Sequence, residues 1–315
     1  PPTPTAQDIR KQIEEAAANV KERLKRTVSE RERLVERLRD EVLDDEELAE
    51  IEEQIMALAK RDEYEELAEE QREIYTQILE QGKRTSEIEV EFYVSETRPV
   101  ASVNKRATNR AVEWLERVTD GFQSDTTVYE LRPEDNQRAY YAGHREIILE
   151  NAGETQHMEE WHEALLAGEI PEMGPEDIDK YDVEGIEWTE DDVAKTVVHE
   201  MGHRIEDPST GALFWDDVGG SDWYENGQEF FKERTKGERA RTLNEINNTT
   251  RYGADEIAKC DEFIDCYTGK IYKQNASEIY STGLQMLYQD AGKFAEEDPG
   301  HFDFTVNALR RTQAK

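Results

Sequence analysis

The spacing of apolar residues predicts helices throughout residues 6–82. The first stripe advances by three and four residues, and its members are Ile9, Ile13, Ala17, Val20, Leu24 and Val28. Such steps place side chains on one face of a helix. Asp44–Asp45 and Asp62 can cap two further helices, and Gly82 can end the last of them. Residues 1–85 are therefore predicted to form a helical or coiled-coil arm.

The polar positions of this arm are dense in Glu and Arg, often four residues apart, as in helices that carry salt bridges. The apolar stripe is too narrow to be buried by one helix alone, which is typical of coiled coils. The arm is thus expected to associate with itself in a homo-oligomer or to pack on a partner. The alternative is a solvated helical appendage.

After the arm, the pattern changes to an alternation of period two. Residues Ser86–Ser95 alternate polar with β-branched or aromatic side chains, which predicts a strand. A helix is expected to start at Ser102 or Asn104. Three more strands are predicted at 126–131, 138–141 and 146–149, the first two around a turn at 132–136. Residues 86–315 are therefore assigned to an α+β domain that is mainly helical with a small sheet.

The remaining segments are predicted from the same periodicities and from the positions of Gly and Pro, which end helices and strands or form turns. Loops are expected at 168–188 and 211–227, and a hairpin at 263–272 around a Thr-Gly turn. Amphipathic helices are predicted near residues 158–165, 189–206, 229–241, 253–258, 276–288 and 299–311.

The helix at 189–206 has an apolar back and a polar front. Thr189 can cap it, and Pro208 cannot continue it, so it should end near Glu206. Its apolar residues recur every four positions: Val193, Val197 and Met201. Gly202 costs this helix up to about 1 kcal/mol relative to Ala. A close approach of neighbouring backbone would explain the glycine.

The polar front carries the pattern H-E-x-x-H at His199–His203. Histidines four residues apart lie one above the other on a helix, so His199 and His203 can both direct a ring nitrogen at one Zn²⁺. Glu200 is placed to take a proton from metal-activated water. The alternative is a helix whose histidines make ordinary hydrogen bonds, which leaves Glu200 unexplained.

A catalytic zinc site needs a third protein ligand and an open position. A third histidine six residues after His203 is absent, because that position is Ser209. Glu278 is the preferred third ligand, since it lies on a predicted helix and follows small residues that allow close approach. The alternatives are His301, Asp261, Glu262 and Asp265. His144, His157 and His162 have no ligand spacing among them.

The charge of the chain limits its partners. It has 74 acidic and 39 basic residues, for a net charge of −35. Such a charge repels nucleic acid and anionic lipid, so neither is expected as a partner. Acidic residues spread over every segment are typical of proteins from salt-loving organisms. Molar salt shortens the Debye length to about 3 Å and thereby screens the repulsion among these residues. The alternative is a mesophilic acidic protein with a charged coiled coil.

The sequence gives no indication of a membrane or of secretion. It has no run of about 18 apolar residues and no charged-then-apolar leader, so a protein that stays where it is made is expected. Two cysteines, Cys260 and Cys266, are too few for a disulfide scaffold. They could be core thiols, a local disulfide or half of a metal site.

Four motifs together resemble zincin-type metallopeptidase domains with a Glu ligand. They are H-E-M-G-H at His199–His203, Y-x-G-x-x-Y at Tyr267–Tyr272, A-S-E-I-Y-S-x-G-L-Q at Ala276–Gln285 and D-P-x-H-F-D-F at Asp298–Phe304. The chain is most similar to such domains in phage and provirus head-morphogenesis (minor head) proteins. It is more distantly similar to lethal-factor-type zinc peptidases. The resemblance covers about Thr189–Leu309 and leaves out the arm.

The resemblance implies a set of roles. His199, His203 and Glu278 would be zinc ligands and Glu200 the general base. Tyr272 would be the phenol that stabilises the oxyanion, with Tyr267 and Tyr280 as rivals because the Tyr272–Glu278 spacing is one residue short of the lethal-factor type. Apart from the resemblance, metal-site chemistry predicts that a carboxylate holds each ligand histidine, and Asp261 and Asp265 are the candidates.

The function implied is a zinc-dependent peptidase that acts on a peptide or protein substrate. An extended substrate would add to the edge of the sheet, with Glu146–Leu149 as the candidate strand. The alternative is a zincin-like structural protein of a tailed-virus head, whose arm contacts capsid or portal proteins. The expected location is then cytoplasmic or virion-associated.

Overall fold

The structure, a computed structural model, describes most of the chain. The described residues are 3–40, 51, 61–83, 86–94, 100–120, 123–131, 139–143, 145–150, 190–206, 221–247, 252–272 and 277–310. They form a mixed, mostly helical structure with small sheets, which is compatible with the predicted α+β class. Two compact units are present: Pro1–Gly82 with Asp290–Phe304, and Lys83–Gln289 with Thr305–Lys315.

Some predicted features lie outside the described residues. They are the helix near 158–165, the loop at 168–188, the turn at 132–136, the cap at Thr189, and His144, His157 and His162. The predicted loop at 211–227 is described only from residue 221, where it is wrong: a helix begins at Ser221.

In the first unit, two of the three predicted helices are present, as α1 (Ala6–Asp40) and α2 (Arg61–Leu79). The helix predicted after Asp44–Asp45 lies, apart from residue 51, outside the described residues. The apolar stripe of α1 is buried over its first half, with Ile9 and Ile13 fully inaccessible. Gly292 lies against it, because a Cβ there would be 2.8 Å from the Cβ of Ala17. The guanidinium of Arg10 donates to Asp303 at 2.8 Å. This half of the stripe is therefore covered by residues of its own chain.

The second unit contains a four-stranded sheet. Its strands are β1 (Glu87–Phe92), β2 (Gln123–Glu130), β3 (Tyr140–Gly143) and β4 (Glu146–Leu149), in the order β1-β2-β4-β3. β1, β2 and β4 are parallel, whereas β3 is antiparallel to β4. The four predicted strands are thus present, with bounds that differ by a few residues.

One expectation about this sheet is wrong. β4 lies between β2 and β3, the strands on either side of the predicted turn, and pairs with both. Glu146–Leu149 is therefore an internal strand and not an edge. Its apolar side chains suit that place, with Ile147 fully buried, whereas Tyr140 on β3, the outer strand of the described part of the sheet, is 42% exposed.

Helices α3 (Ser102–Val118) and α4 (Glu190–Glu206) pack on each other, and α4 contacts β3 and β4. The predicted apolar back of α4 is confirmed, because Val193, Val197 and Met201 are buried. Arg204 is fully buried and ties this helix to β2: its Nε donates to Ser124 Oγ at 2.8 Å. The polar front of α4 is thereby held in a fixed orientation.

The elements that follow α4 are mostly short. They are α5 (Ser221–Arg234), β5 (Arg241–Thr242), α6 (Leu243–Asn247), β6 (Ile257–Ala258), a 3₁₀ turn (Cys266–Gly269), α7 (Ile279–Glu297) and α8 (Pro299–Arg310). The predicted helix at 253–258 is wrong, since β6 lies there and pairs with β5. No helix among the described residues is long and apolar enough to cross a membrane.

The predicted hairpin at 263–272 is also wrong. Thr268 and Gly269 end a 3₁₀ turn, and Lys270 forms a bridge with Ala258 of β6. Gly269 is required for a close approach, because a Cβ there would lie 1.7 Å from the carbonyl oxygen of Lys259. Cys260 and Cys266 form a disulfide, one of the three alternatives that the sequence left open.

The close approach expected at Gly202 is confirmed. A Cβ at this position of α4 would lie 2.4 Å from the Cα of Ser281 and 2.8 Å from its backbone nitrogen, in the first turn of α7. Both neighbouring atoms belong to the backbone, so neither can move away by a rotamer change. The glycine therefore sets the distance between α4 and the start of α7.

We predict that Gly202→Ala destabilises the protein, although Ala is the better helix former by about 1 kcal/mol. The added methyl group would force the two helices apart, an overpacking cost of about 1–3 kcal/mol. Urea denaturation measures the change. Gly253→Ala is the control, because the nearest atom to a Cβ there is a carboxylate oxygen of Asp255 at 3.1 Å. A Gly202→Ala variant as stable as the wild type would contradict the prediction.

Candidate metal centre

Three side chains converge where α4 meets the start of α7. The Nε2 atoms of His199 and His203 each lie 3.2 Å from Oε2 of Glu278. One potential ligand atom from each residue lies within 4.8 Å of the others, and among the described residues this is the group of His, Cys, Asp and Glu side chains that could hold a metal ion. Glu278 is fully buried.

Local structure explains the convergence. His199 and His203 are one turn apart on α4, and their ring centroids are 5.0 Å apart. Glu278 was expected within a helix, but it lies immediately before Ile279, the first residue of α7. A carboxylate at this end of a helix is stabilised by the positive end of the helix dipole. Its backbone carbonyl begins the helical ladder by accepting the Thr282 N–H at 3.0 Å.

The donor set fits a metal such as Zn²⁺. Two imidazole nitrogens and one carboxylate oxygen are ligands that zinc accepts, and three protein ligands leave a coordination position open. Nδ1 of His199 lies 2.8 Å from Oε1 of Gln285. An amide oxygen can only accept, so Nδ1 is the donor in this contact, and Nε2 is the ring nitrogen that faces Glu278 and could bind a metal.

Gln285 was not among the predicted site residues, and a carboxylate was expected in its place. Asp261 instead pairs with Arg234, and Asp265 accepts the N–H of Tyr267 at the start of the 3₁₀ turn. The signal that could have identified Gln285 is its spacing, because residues seven apart share a helical face. Gln285 and the ligand Glu278 have this spacing.

The other proposed third ligands are not part of the group. Asp261, Glu262 and Asp265 are absent from the three residues that could hold a metal ion. His301 is fully buried, and its ring packs edge-on against Phe294 with 5.1 Å between centroids. It is a core histidine of the first unit.

The charges at the centre attract a cation. Burial lowers the pKa of His203, but the carboxylate of Glu278 outweighs this effect and raises the pKa to about 9. Burial likewise opposes ionisation of Glu278, yet the two histidines hold its pKa well below the usual range. A proton on His203 thus neutralises the buried carboxylate at neutral pH, and a bound metal ion would take its place.

Hydroxyl groups complete the surroundings of Glu278. Ser281 Oγ donates to Oε2 at 2.7 Å, and the Tyr272 hydroxyl donates to Oε1. Burial raises the pKa of Tyr272 far above its ordinary value, and the Glu278 carboxylate raises it further, so the phenol stays protonated. Both carboxylate oxygens therefore have hydrogen-bond donors.

The two rival tyrosines occupy different places. The ring of Tyr267 lies 6.4 Å from that of His199, and its hydroxyl accepts a hydrogen bond from Lys270 Nζ at 3.3 Å. Tyr280 packs against α5, since a Cβ on Gly227 would be 2.9 Å from its ring. Tyr272 and Tyr267 are therefore near the centre, whereas Tyr280 belongs to the packing between helices.

Two further glutamates of α4 are buried near the centre. Glu200 is 5% exposed and Glu206 is 2% exposed. Glu206 accepts hydrogen bonds from both the backbone N–H and the hydroxyl of Ser277, the residue before the ligand Glu278. Sequence reasoning missed Glu206, although it lies three residues after His203 on the same helical face. It ties the end of α4 to the residue that precedes Glu278.

Comparison of the chain with protein-family models, curated proteins and solved structures finds no match. The function must therefore be argued from the geometry of this site and from the motif that forms it.

We predict that Gln285→Leu weakens metal binding about 10- to 100-fold, the usual effect of losing a group that orients a ligand histidine. Gln285→Glu keeps an acceptor opposite Nδ1 of His199 and should retain most of the affinity. Competition with a chromophoric zinc chelator measures both variants. Equal affinities for Gln285→Leu and wild type would exclude an orienting role for Gln285.

A second prediction concerns Glu206. Burial raises its pKa from 4.5 to about 7, against hydrogen bonds from Ser277 that lower it. The folded protein thus holds this proton more tightly than the unfolded chain does. Stability is lost as the pH rises through the window from 4.5 to 7, by up to about 3 kcal/mol.

Glu206→Gln removes this titration and can keep both contacts, because its amide can accept from the Ser277 N–H and donate to its hydroxyl. The variant, measured as metal-free protein by urea denaturation, should gain stability relative to wild type as the pH rises, with a plateau above about pH 7. A stability difference that does not change with pH would refute the burial effect.

Proposed function

We propose that this protein is a zinc-dependent peptidase of the Glu-ligand zincin type. The observation that carries the proposal is the convergence of His199, His203 and Glu278, with the ring of His199 oriented by the contact between its Nδ1 and Gln285. Zn²⁺ bound by these three side chains would supply an activated water molecule and a Lewis acid for the scissile carbonyl.

Glu200 is the general base in this proposal. It follows the ligand His199 directly on α4, and its side chain is buried beside the centre. From there its carboxylate can accept the proton of the attacking water and then transfer it to the leaving amine. Burial excludes bulk water from the carboxylate and strengthens its electrostatic effect on the reacting groups.

Tyr272 is the proposed donor to the oxyanion. Its phenol stays protonated, because burial and the Glu278 carboxylate both oppose ionisation. The hydrogen bond to Oε1 of Glu278 shows that the hydroxyl reaches the ligand set. A donor held at this position can stabilise the negative charge that develops on the carbonyl oxygen. The hydroxyl of Tyr267 is the alternative donor.

The substrate would bind along β3. Among the residues that the structure describes, this strand is an edge of the sheet, and α4, which carries the histidines, contacts it. Addition of an extended peptide to an edge strand supplies main-chain hydrogen bonds in register with the sheet. β3 takes the place of Glu146–Leu149, whose two sides are already paired with β2 and β3.

The proposed setting is a virus or provirus of a salt-loving host, with capsid or portal proteins as partners of the arm. It depends on the resemblance to head-morphogenesis domains and on the net charge of −35. Molar salt should then raise the melting temperature strongly, because it screens the repulsion among acidic groups. Thermal denaturation at low and at molar KCl tests this setting, and a salt-independent melting temperature would exclude adaptation to salt.

We predict that the purified protein binds one Zn²⁺ per chain and cleaves peptides. Glu200→Gln should lower kcat at least about 10²-fold, because the general base is lost, while zinc binding is retained. Glu190→Gln, at the other end of the same helix, is the matched control and should keep full activity. Metal analysis by mass spectrometry and cleavage of a peptide library in high salt measure the two properties.

Two results would refute the proposal. A protein purified with zinc in the buffer that binds none would exclude the metal centre. Bound zinc without cleavage of any library peptide would exclude the peptidase activity and favour a structural role of the zincin-like domain.

A further inference from the structure

One face of the four-stranded sheet carries a row of aromatic and apolar side chains. The pairing of the strands defines this row: Tyr129 pairs with Ile148, and Ile148 pairs with Tyr140. Tyr93 extends it past the end of β1, because its N–H donates to the Val128 carbonyl at 2.9 Å and its ring lies 4.8 Å from that of Tyr129. We call Tyr93, Tyr129, Ile148 and Tyr140 the tyrosine row.

The tyrosine row lies on the face of the sheet that points away from α4. Successive side chains of a strand alternate between the two faces of a sheet. Thr126 of β2 faces α4, since its Oγ1 lies 3.9 Å from the sulfur of Met201. Ser124 also faces α4, because it accepts a hydrogen bond from Arg204. Tyr129 is an odd number of residues from both, so it lies on the opposite face.

The tyrosine row is also where large apolar side chains are exposed. Among the described residues, three such side chains are exposed: Tyr93 at 52%, Tyr140 at 42% and Val94 at 65%. Two of them belong to the row, and Val94 directly follows Tyr93. Single exposed apolar residues are ordinary on a protein surface, whereas a group of them at one place is typical of a surface that binds another molecule.

Acidic residues lie beside the tyrosine row on the same face. Glu91 pairs with Thr127, and Thr127 pairs with Glu146. These residues precede members of the tyrosine row by two positions, so their side chains point the same way. The Tyr129 hydroxyl donates to Glu146 at 3.3 Å, which links the two rows. Glu89 and Glu91 are exposed, and neither has an ion-pair partner among the described residues.

These properties limit the molecule that can bind. Carboxylates repel nucleic acid, and they repel the same face of a second copy of this chain. They attract cations, and the face of a tyrosine ring attracts cations as well. Arginine suits both groups better than lysine, because its planar guanidinium can stack on a ring while its N–H groups donate to a carboxylate. Four strands span about 14 Å, the length of about four residues of an extended chain.

We propose that this face of the sheet binds an arginine-rich segment of a partner protein. The segment would lie across the strands, with guanidinium groups on the rings of Tyr93 and Tyr140. Their N–H groups would donate to Glu91 and Glu146. No residue of this surface belongs to the candidate metal centre, so the proposal does not depend on the proposed peptidase function.

Fluorescence anisotropy with the full-length protein tests the proposal. The probes are three fluorescent peptides of equal length in which every second residue is Arg, Lys or Gln and the others are Ser. At about 0.1 M salt, where surface charges are only partly screened, the Arg peptide should bind at least about threefold tighter than the Lys peptide. The Gln peptide should bind weakest. Equal binding of the Arg and Lys peptides would overturn the proposal, because net charge alone would then explain it.

Variants of the two rows locate the binding. Tyr93→Ala combined with Tyr140→Ala removes both exposed rings and should weaken binding of the Arg peptide about tenfold. Glu91→Gln should weaken it about twofold to fivefold. Glu113→Gln is the matched control, because this exposed glutamate has the same charge but lies on helix α3 and outside the sheet. Urea denaturation checks that each variant is folded. The exposed Glu91 has no ion pair to lose among the described residues, so its variant keeps the test decisive if the double variant is unstable.

Three further results would contradict the proposal. Equal losses for Glu91→Gln and Glu113→Gln would mean that the peptide responds only to the net charge of the protein. Full binding by the Tyr93→Ala, Tyr140→Ala protein would exclude the rings. A dimer in analytical ultracentrifugation that this double variant abolishes would assign the surface to a second copy of the chain. Weaker binding in both variants of the surface, with an unchanged control and a monomeric wild type, supports the proposal whether or not the protein binds zinc.

Discussion

The candidate site depends on one contact between two backbones. Gly202 lies in the middle of H-E-x-x-H, and the absence of its side chain lets the first turn of α7 approach α4 closely. Because the histidines are fixed to α4 and Glu278 directly precedes α7, the distance between these two elements sets the distance between the three potential ligands. Two polar contacts reinforce this packing: Glu206 accepts a hydrogen bond from the Ser277 N–H, and Oε1 of Gln285 contacts Nδ1 of His199. The H-E-x-x-H motif on α4 supplies two of the three potential ligands, and only this packing brings Glu278 to them.

The packing also places a carboxylate in the protein interior, where its charge needs compensation. Glu278 is fully buried, and a buried carboxylate is unfavourable unless donors or a positive charge lie close to it. Here Ser281, Tyr272, the start of α7 and the two histidines all supply that compensation. A proton on His203 can neutralise the charge of Glu278, and a divalent cation would compensate it more fully. The same groups that would bind a metal therefore also stabilise the site before a metal arrives.

The part of this site that the sequence predicted is the part encoded by local spacing. His199, His203 and the buried back of α4 follow from steps of four residues, and the role of Gly202 follows from its cost in a helix. Glu278 could be proposed because small residues precede it. Spacing was the one signal for Gln285 and Glu206, but their importance arises from a partner on another element, and spacing does not show what they contact. The hairpin at 263–272 failed for a related reason: Gly269 is needed for its contact with Lys259, and a turn glycine and a contact glycine are identical in sequence.

The order of the strands in the sheet is likewise not determined by local sequence patterns. The alternation of polar and apolar residues identified β2, β3 and β4, but the order of strands depends on which pairs form across the chain. Ile147 and Leu149 are both buried, which suits an internal strand, whereas the Tyr-Tyr-Ala-Gly sequence of β3 leaves Tyr140 exposed. Because β4 pairs with β2 on one side and with β3 on the other, β3 is the edge strand of the described sheet, and α4 contacts it. The internal position of β4 therefore leaves β3 as the strand to which a peptide could add in the proposed peptidase.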